Sequence, residues 1–269
     1  MSTTHLPLPR TGTPSASTPA SRMKALARAE LTLLGRNKAA MFTALVLPAM
    51  LTFSMSSAVD GMDLADSGLT VGTVLLPGSL GYVLLFAVYS ALTGVFVVRR
   101  EELVLKRLRT GELRDLEILA GAALPAVTLA LVQCVLLAAG CTAALDVAAP
   151  RAVWLAVAGL LLGMLLMCVL AAATAAFTRS AESAQISVMP VMLLSMAGSG
   201  LVVPVDLMPD ALASVCELLP LSPAIALIRG GWTGALDGAD ILGRLATAVA
   251  WTLLGVFAVR RRFRWEPRR

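Results

Sequence analysis

Residues 99–109, RREELVLKRLR, form a dense charged segment between two long apolar runs. Written as an α-helix, the segment places Leu105 and Leu108 on the same side, and Glu102 precedes Lys106 in the order that favours a helical ion pair. Such a helix could dock on another protein, or it could be a basic loop that only fixes membrane topology. The candidate docking residues are Glu101, Glu102, Leu105, Lys106, Arg107 and Leu108.

Catalytic chemistry has little support in this sequence. Gly198-Ser199-Gly200 could carry the serine of an intramembrane protease, but that reaction needs a general base, and the single histidine, His5, lies far away near the N-terminus. Close helix packing explains these small residues better. The four cysteines have no metal-ligand spacing. We therefore predict neither a catalytic nor a metal site and expect that the chain is not an enzyme.

The sequence also lacks a motif for using energy by itself. It contains no GxxxxGK(S/T) loop for nucleotide phosphates. Ionisable residues are nearly absent from the middle of the apolar runs, where ion-coupled transporters usually keep them. If the protein transports a compound, the energy must come from a partner.

The apolar runs decide the fold class. Hydrophobic residues make up 58% of the 269 residues and charged residues only 14%, which allows about six membrane spans of roughly 20 residues. Lysine and arginine cluster beside the ends of these runs rather than among aromatic residues, so the net charge of +5 does not indicate nucleic-acid binding. We predict an all-α polytopic membrane protein with six transmembrane helices, at about 39–58, 71–98, 119–145, 152–177, 185–203 and 244–259.

Segments outside the spans complete the predicted organisation. Residues 1–20 are rich in Pro, Ser and Thr and read as a disordered tail, residues 21–262 as the transmembrane domain, and residues 263–269 as a basic tail. Residues 21–36 fit an amphipathic helix lying on the membrane surface, or simply the basic flank of the first span. Its candidate functional residues are Arg28, Glu30 and Arg36.

A proline-rich stretch precedes the last span. Residues 211–218 are too short to cross a membrane, and prolines stand on both sides of them. This pattern predicts a pair of short helices at the outer face that re-enter the membrane, where non-helical backbone must be buried in protein, although an ordinary extracellular loop would also fit. The prolines that mark the segment are Pro204, Pro209, Pro220 and Pro223.

Charge placement orients the chain. If the N-terminus is inside, the inner segments hold most of the lysine and arginine, including the six arginines between residues 260 and 269. The outer segments hold only Arg151, Arg229 and Arg244, against nine acidic residues. The positive-inside rule therefore places both termini in the cytoplasm.

The chain resembles the membrane subunits of ABC-2 type transporters, over about residues 22–262. The resemblance rests mainly on the order Pro190, LLS at 193–195, Gly198 to Gly200, Pro204, Pro209, LPLSP at 219–223 and Arg229. Residues 101–109 look like the family's charged loop between spans two and three, and residues 30–48 look like its interfacial elbow helix leading into the first span. Among family members, drug and antibiotic exporters look most similar.

The resemblance implies a permease subunit in a bacterial cell membrane that exports a hydrophobic or amphipathic compound. It implies a separate cytoplasmic P-loop ATPase subunit, which would hold the ATP and magnesium, and a second permease subunit, with a homodimer favoured over a heterodimer. The alternatives are a non-transporting scaffold or immunity protein of the same fold and an exporter of lipid-linked polysaccharide. A partner that supplies energy needs a cytoplasmic surface, which favours docking on residues 101–109.

Overall fold

The computed structural model describes residues 70–111, 113–145 and 149–266, together with isolated helical positions between residues 24 and 54. These described residues are almost entirely helical and contain no strand, which confirms the all-α prediction. Of the predicted elbow helix, Arg28 and Thr32 are described as helical, and the Thr32 hydroxyl donates a hydrogen bond to the Arg28 carbonyl. Glu30, Arg36, the 1–20 tail and most of the first predicted span lie outside the described residues.

The described helices follow one another in a simple order. The long helix α1 (Val71–Glu101) includes a π-helical segment at Leu84–Ser90, and the short helix α2 (Val104–Arg109) follows it. The remaining helices are α3 (Asp115–Leu145), α4 (Val153–Phe177), α5 (Ala181–Gly198), α6 (Asp210–Glu217), α7 (Ser222–Thr233) and α8 (Gly238–Arg262).

Four of the described helices are long and apolar enough to cross a membrane, namely α1, α3, α4 and α8. They match four of the predicted spans. The predicted fifth span is wrong in its bounds, because α5 ends at Gly198 and the chain after it, 199–203, is not helical. Helices α6 and α7 meet at a bend of 105° and would add one span if they cross together.

Helix α4 lies at the centre of the bundle, against α1, α7 and α8. Gly159 and Gly163 of α4 allow the close approach of its neighbours: a methyl group on Gly159 would lie 3.0 Å from the Ile228 amide nitrogen, and one on Gly163 would lie 3.0 Å from the Ala224 side chain. Small residues of this kind let helix backbones approach closely. Gly159 and Gly163 therefore lie where α7 packs directly on α4.

Gly231 of α7 marks a close approach of two helix backbones. Its carbonyl accepts a hydrogen bond from the Ala152 amide at 2.9 Å, and a methyl group there would lie 2.6 Å from the Ala156 amide nitrogen of α4. Because backbone cannot rotate away as a side chain can, α4 and α7 would have to separate.

We expect Gly231→Ala to lower the free energy of unfolding by about 1–3 kcal/mol, the usual cost of overpacking. Thermal denaturation of the detergent-purified protein measures the change. Gly243→Ala in α8 is the matched control, because nothing lies within 4 Å of its added methyl group. Equal melting temperatures for the two variants would contradict the prediction.

Candidate docking site

The charged segment is not the single helix that its sequence predicts. Helix α1 continues through Arg99 and ends at Glu101. Leu103 then adopts a left-handed conformation with φ of 60°, which costs energy for a residue with a side chain and breaks the helix. Helix α2 begins after this break, at Val104. The segment is therefore the end of one long helix joined by a sharp bend to a short one.

Arg100 points into the bundle. Its side chain has no exposed surface. The guanidinium donates to the Ala175 carbonyl at 2.8 Å, to the Thr178 carbonyl at 2.7 Å and to the Arg179 carbonyl at 3.3 Å. These carbonyls stand at the C-terminal end of α4, where helical carbonyls lack partners and a cation is favourable. Arg100 thus ties the end of α1 to the end of α4.

Glu101 continues this connection to the next helix. Its carboxylate accepts a hydrogen bond from the Ala181 amide at 3.2 Å, at the first residue of α5. Ser180 caps the same helix end through the Ser183 amide. An acidic group at a helix N-terminus is favourable, so Arg100 and Glu101 together hold both sides of the turn between α4 and α5. We call this arrangement the Arg100–Glu101 clamp.

The six predicted docking residues occupy different environments. Leu105 is completely buried and Leu108 is half-buried, so this side of α2 faces the bundle. Glu101 is exposed but is engaged with α5. The side chains that remain open on or beside α2 belong to Glu102, Lys106 and Arg107. Leu103 is also exposed, at 38% of its surface, and it is not among the six residues that the sequence pattern predicts.

Residues after α8 cover part of α2. The Lys106 ammonium lies 2.7 Å from the Glu266 carboxylate. Lys106 therefore pairs with Glu266, and the prediction of an ion pair between Glu102 and Lys106 is wrong. Lys106 holds the pKa of the Glu266 carboxyl below its usual range, mainly through this hydrogen bond. The Arg109 guanidinium lies 5.0 Å from the centre of the Trp265 ring and 3.0 Å from the Asp115 carboxylate.

The four predicted prolines lie at the opposite end of the bundle, each before or at the start of a short helix. Pro204 precedes a 3-10 turn at Val205–Leu207, Pro209 caps α6, Pro220 lies between α6 and α7, and Pro223 lies in the first turn of α7. Proline suits these positions because its fixed φ fits a helix start and its missing N–H is not needed there. The predicted pair of short helices is present, as α6 and α7.

Polar contacts hold this proline-rich end, and the first of them is buried. The Arg229 guanidinium donates to the Gly200 carbonyl at 2.6 Å, and Gly200 has a φ of +72° that suits glycine. The Trp251 indole donates to the Leu218 carbonyl at 2.8 Å, and Arg244 pairs with Glu217. Ser199 is buried in this region. These contacts join α7 to the end of α5, and α8 to α6.

No group of three histidine, cysteine or acidic residues that could hold a metal occurs within the part of the chain that the structure describes. The contacts described above are polar and charged contacts between helix ends.

Comparison with known protein families identifies the class of protein in which these contacts occur. The family model described as ABC-2 type transporter matches residues 21–232, more than half of the chain. The chain belongs to the ABC-2 type transporter family. It is a membrane component of an ABC transporter, in a family whose permeases work with an ATPase subunit. No curated protein matches the chain.

The ABC-2 family match covers only part of the candidate site. It includes α1, α2 and the Arg100–Glu101 clamp, which all lie before residue 232. It ends before α8 and the residues that cover α2, whereas the resemblance in sequence predicts a match that reaches about residue 262. Trp265 and Glu266 thus lie outside the ABC-2 family match.

Proposed function

We propose that this ABC-2 permease exports a hydrophobic or amphipathic compound across a bacterial cell membrane, and that a separate P-loop ATPase docks on α2. The observation that carries the proposal is the Arg100–Glu101 clamp, because it ties the end of α1, to which α2 is joined, to both α4 and α5. The exposed side chains of Leu103 and Arg107 form the docking face. Leu105 orients α2 from its buried side and does not contact the partner.

The contacts of the Arg100–Glu101 clamp provide a route by which movement of the docked ATPase reaches the membrane helices. Force on α2 passes through the bend at Leu103 to the end of α1, and Arg100 and Glu101 pass it to α4 and α5. Because these are charge-assisted hydrogen bonds to helix ends, α1, α4 and α5 move together at this end. The elbow helix, with Arg28, Glu30 and Arg36, would provide a second contact for the ATPase.

The remaining parts of the proposal concern the assembly. Both termini face the cytoplasm, because arginine is concentrated at the α2 end. Six spans are reached when α5 and the span predicted before residue 70 are counted with α1, α3, α4 and α8. Helices α6 and α7, with Pro204, Pro209, Pro220 and Pro223, form a re-entrant hairpin at the outer face. Two copies of the chain form the substrate path between them.

Reconstitution tests the proposal. The chain is co-purified with any P-loop ATPase encoded by a neighbouring gene, and the complex is placed in proteoliposomes with a fluorescent amphipathic dye. We expect ATP-dependent movement of the dye, and none when the phosphate-binding lysine of the ATPase is replaced. Movement of a lipid-linked oligosaccharide but not of the dye would favour the polysaccharide alternative. A stable complex that moves neither would favour a scaffold.

A further inference from the structure

Helix α2 is too short to keep its orientation without help. It has six residues, and isolated helices of this length are not stable in water. Only Leu105 is fully buried among them, and the left-handed Leu103 is its link to α1. A helix held by one fully buried side chain, the half-buried Leu108 and the exposed Arg109–Asp115 pair can still tilt, so its other outer contacts help to decide where Arg107 points.

The residues after α8 supply these outer contacts. Phe263 packs edge-on against Phe96 of α1, with ring centres 6.4 Å apart, and Trp265 packs edge-on against Phe263 at 5.2 Å. This aromatic series fixes the chain that leaves α8 to the end of α1. We call residues 263–266 the strap.

The strap then contacts one side of α2. Trp265 lies under the Arg109 guanidinium, and Glu266 pairs with Lys106. Lys106 and Arg109 are three residues apart and therefore share one face of the helix. Leu105 occupies the buried face, and Arg107 lies on the face that the strap leaves open. The strap fixes the rotation of α2 about its own axis without covering Arg107.

We propose, building on the docking of the ATPase on α2, that the strap is a positioning element for that docking. Trp265 and Glu266 hold α2 in the orientation that presents Leu103 and Arg107. They act through Lys106 and Arg109 and do not themselves bind the partner. The strap lies beyond residue 232, where the family match ends, so the proposal concerns this chain rather than the family as a whole.

A charge exchange tests the proposal. Glu266→Lys and Lys106→Glu each break the ion pair, and each is expected to weaken binding of the purified ATPase to the permease in nanodiscs by about fivefold. The double variant Lys106→Glu with Glu266→Lys restores a pair and is expected to return the affinity to within about twofold. Trp265→Ala removes the ring under Arg109 and should weaken binding about threefold.

Controls separate this proposal from the docking itself. Arg114→Gln changes an exposed arginine outside the contact between the strap and α2, and it should leave the affinity for the ATPase unchanged.

If the double variant binds as weakly as the single ones, Lys106 contacts the ATPase directly and the positioning role is wrong. If Arg107→Glu abolishes binding while the Trp265 and Glu266 variants match Arg114→Gln, docking on α2 stands and the strap proposal fails. If Arg107→Glu binds normally, the docking proposal itself fails.

Discussion

Replacing Arg100 by methionine is expected to lower the free energy of unfolding by about 2–5 kcal/mol. Methionine fills much of the same buried space but donates no hydrogen bond. The carbonyls of Ala175, Thr178 and Arg179 would lose their partner at the end of α4. Each buried carbonyl left without a partner costs about 1–3 kcal/mol, and the helix end also loses a favourable positive charge.

Arg100→Lys should recover only part of this loss. An ammonium group keeps the charge, but it cannot donate to several carbonyls with the fixed fork of a guanidinium. Thermal denaturation of the purified protein should therefore rank the melting temperatures as wild type, then lysine, then methionine. ATP-driven transport should fall in the same order.

Arg179→Met is the matched control for the Arg100 prediction. Its side chain is exposed, and it takes part in the clamp only through its backbone carbonyl. The same chemical change should therefore leave the melting temperature within error of the wild type. If Arg100→Met melts together with this control, the bonds from Arg100 to α4 do not stabilise the fold.

Long apolar runs made the large elements predictable. The sequence places spans at 71–98, 119–145 and 152–177, and the corresponding helices are Val71–Glu101, Asp115–Leu145 and Val153–Phe177. The first two reach further into charged sequence than hydropathy indicates, because capping and backbone hydrogen bonds continue after the apolar residues stop.

The arrangement of the docking site was much harder to predict. Nothing in the local sequence signals a left-handed leucine at 103, since glycine usually takes that conformation. The partners of Arg100 are backbone carbonyls 75 or more residues away, and backbone groups leave no trace in residue types. An arginine at the end of an apolar run is expected to reach outward to water, whereas Arg100 turns inward.

The strap was missed for a similar reason. Residues 263–269 are basic overall, which predicts a basic tail, and this average composition hides the aromatic and acidic residues among them. Trp265 and Glu266 match Arg109 and Lys106 in chemistry, but the sequence separation is large. Only the packing of α8 against α4, beside α1, brings the two segments together.

Reversing the charge of Arg107 is expected to abolish ATPase docking with little effect on stability. Arg107 is exposed and lies on the face of α2 that the strap leaves open, whereas its basic neighbours Lys106 and Arg109 pair with Glu266 and Asp115. We expect the partner to present an acidic group to Arg107, so Arg107→Glu places like charges together, which costs several kcal/mol. Affinity for the ATPase should fall at least about 30-fold, while the melting temperature stays unchanged.

Arg107 is a better test position than Glu101, although both stand in the predicted docking set. Reversing Glu101 would place a positive charge at the start of α5, where the Ala181 amide needs an acceptor. A loss of binding would then mix docking with damage to the clamp. The Arg107 side chain is exposed, so its reversal reports on the partner alone.

Arg114→Glu separates docking on α2 from general attraction between a basic membrane protein and an acidic ATPase. It reverses one exposed charge close to the same end of the bundle but outside α2. Specific docking predicts that Arg107→Glu loses ATPase-stimulated transport while Arg114→Glu keeps it. Equal losses in both variants would mean that only net charge matters, since exposed charges attract at long range in a salt-dependent manner. Measuring the affinity for the ATPase at low and high salt distinguishes the two cases. Salt screens the long-range attraction between charges, but a packed interface around Leu103 and Arg107 retains binding at high salt.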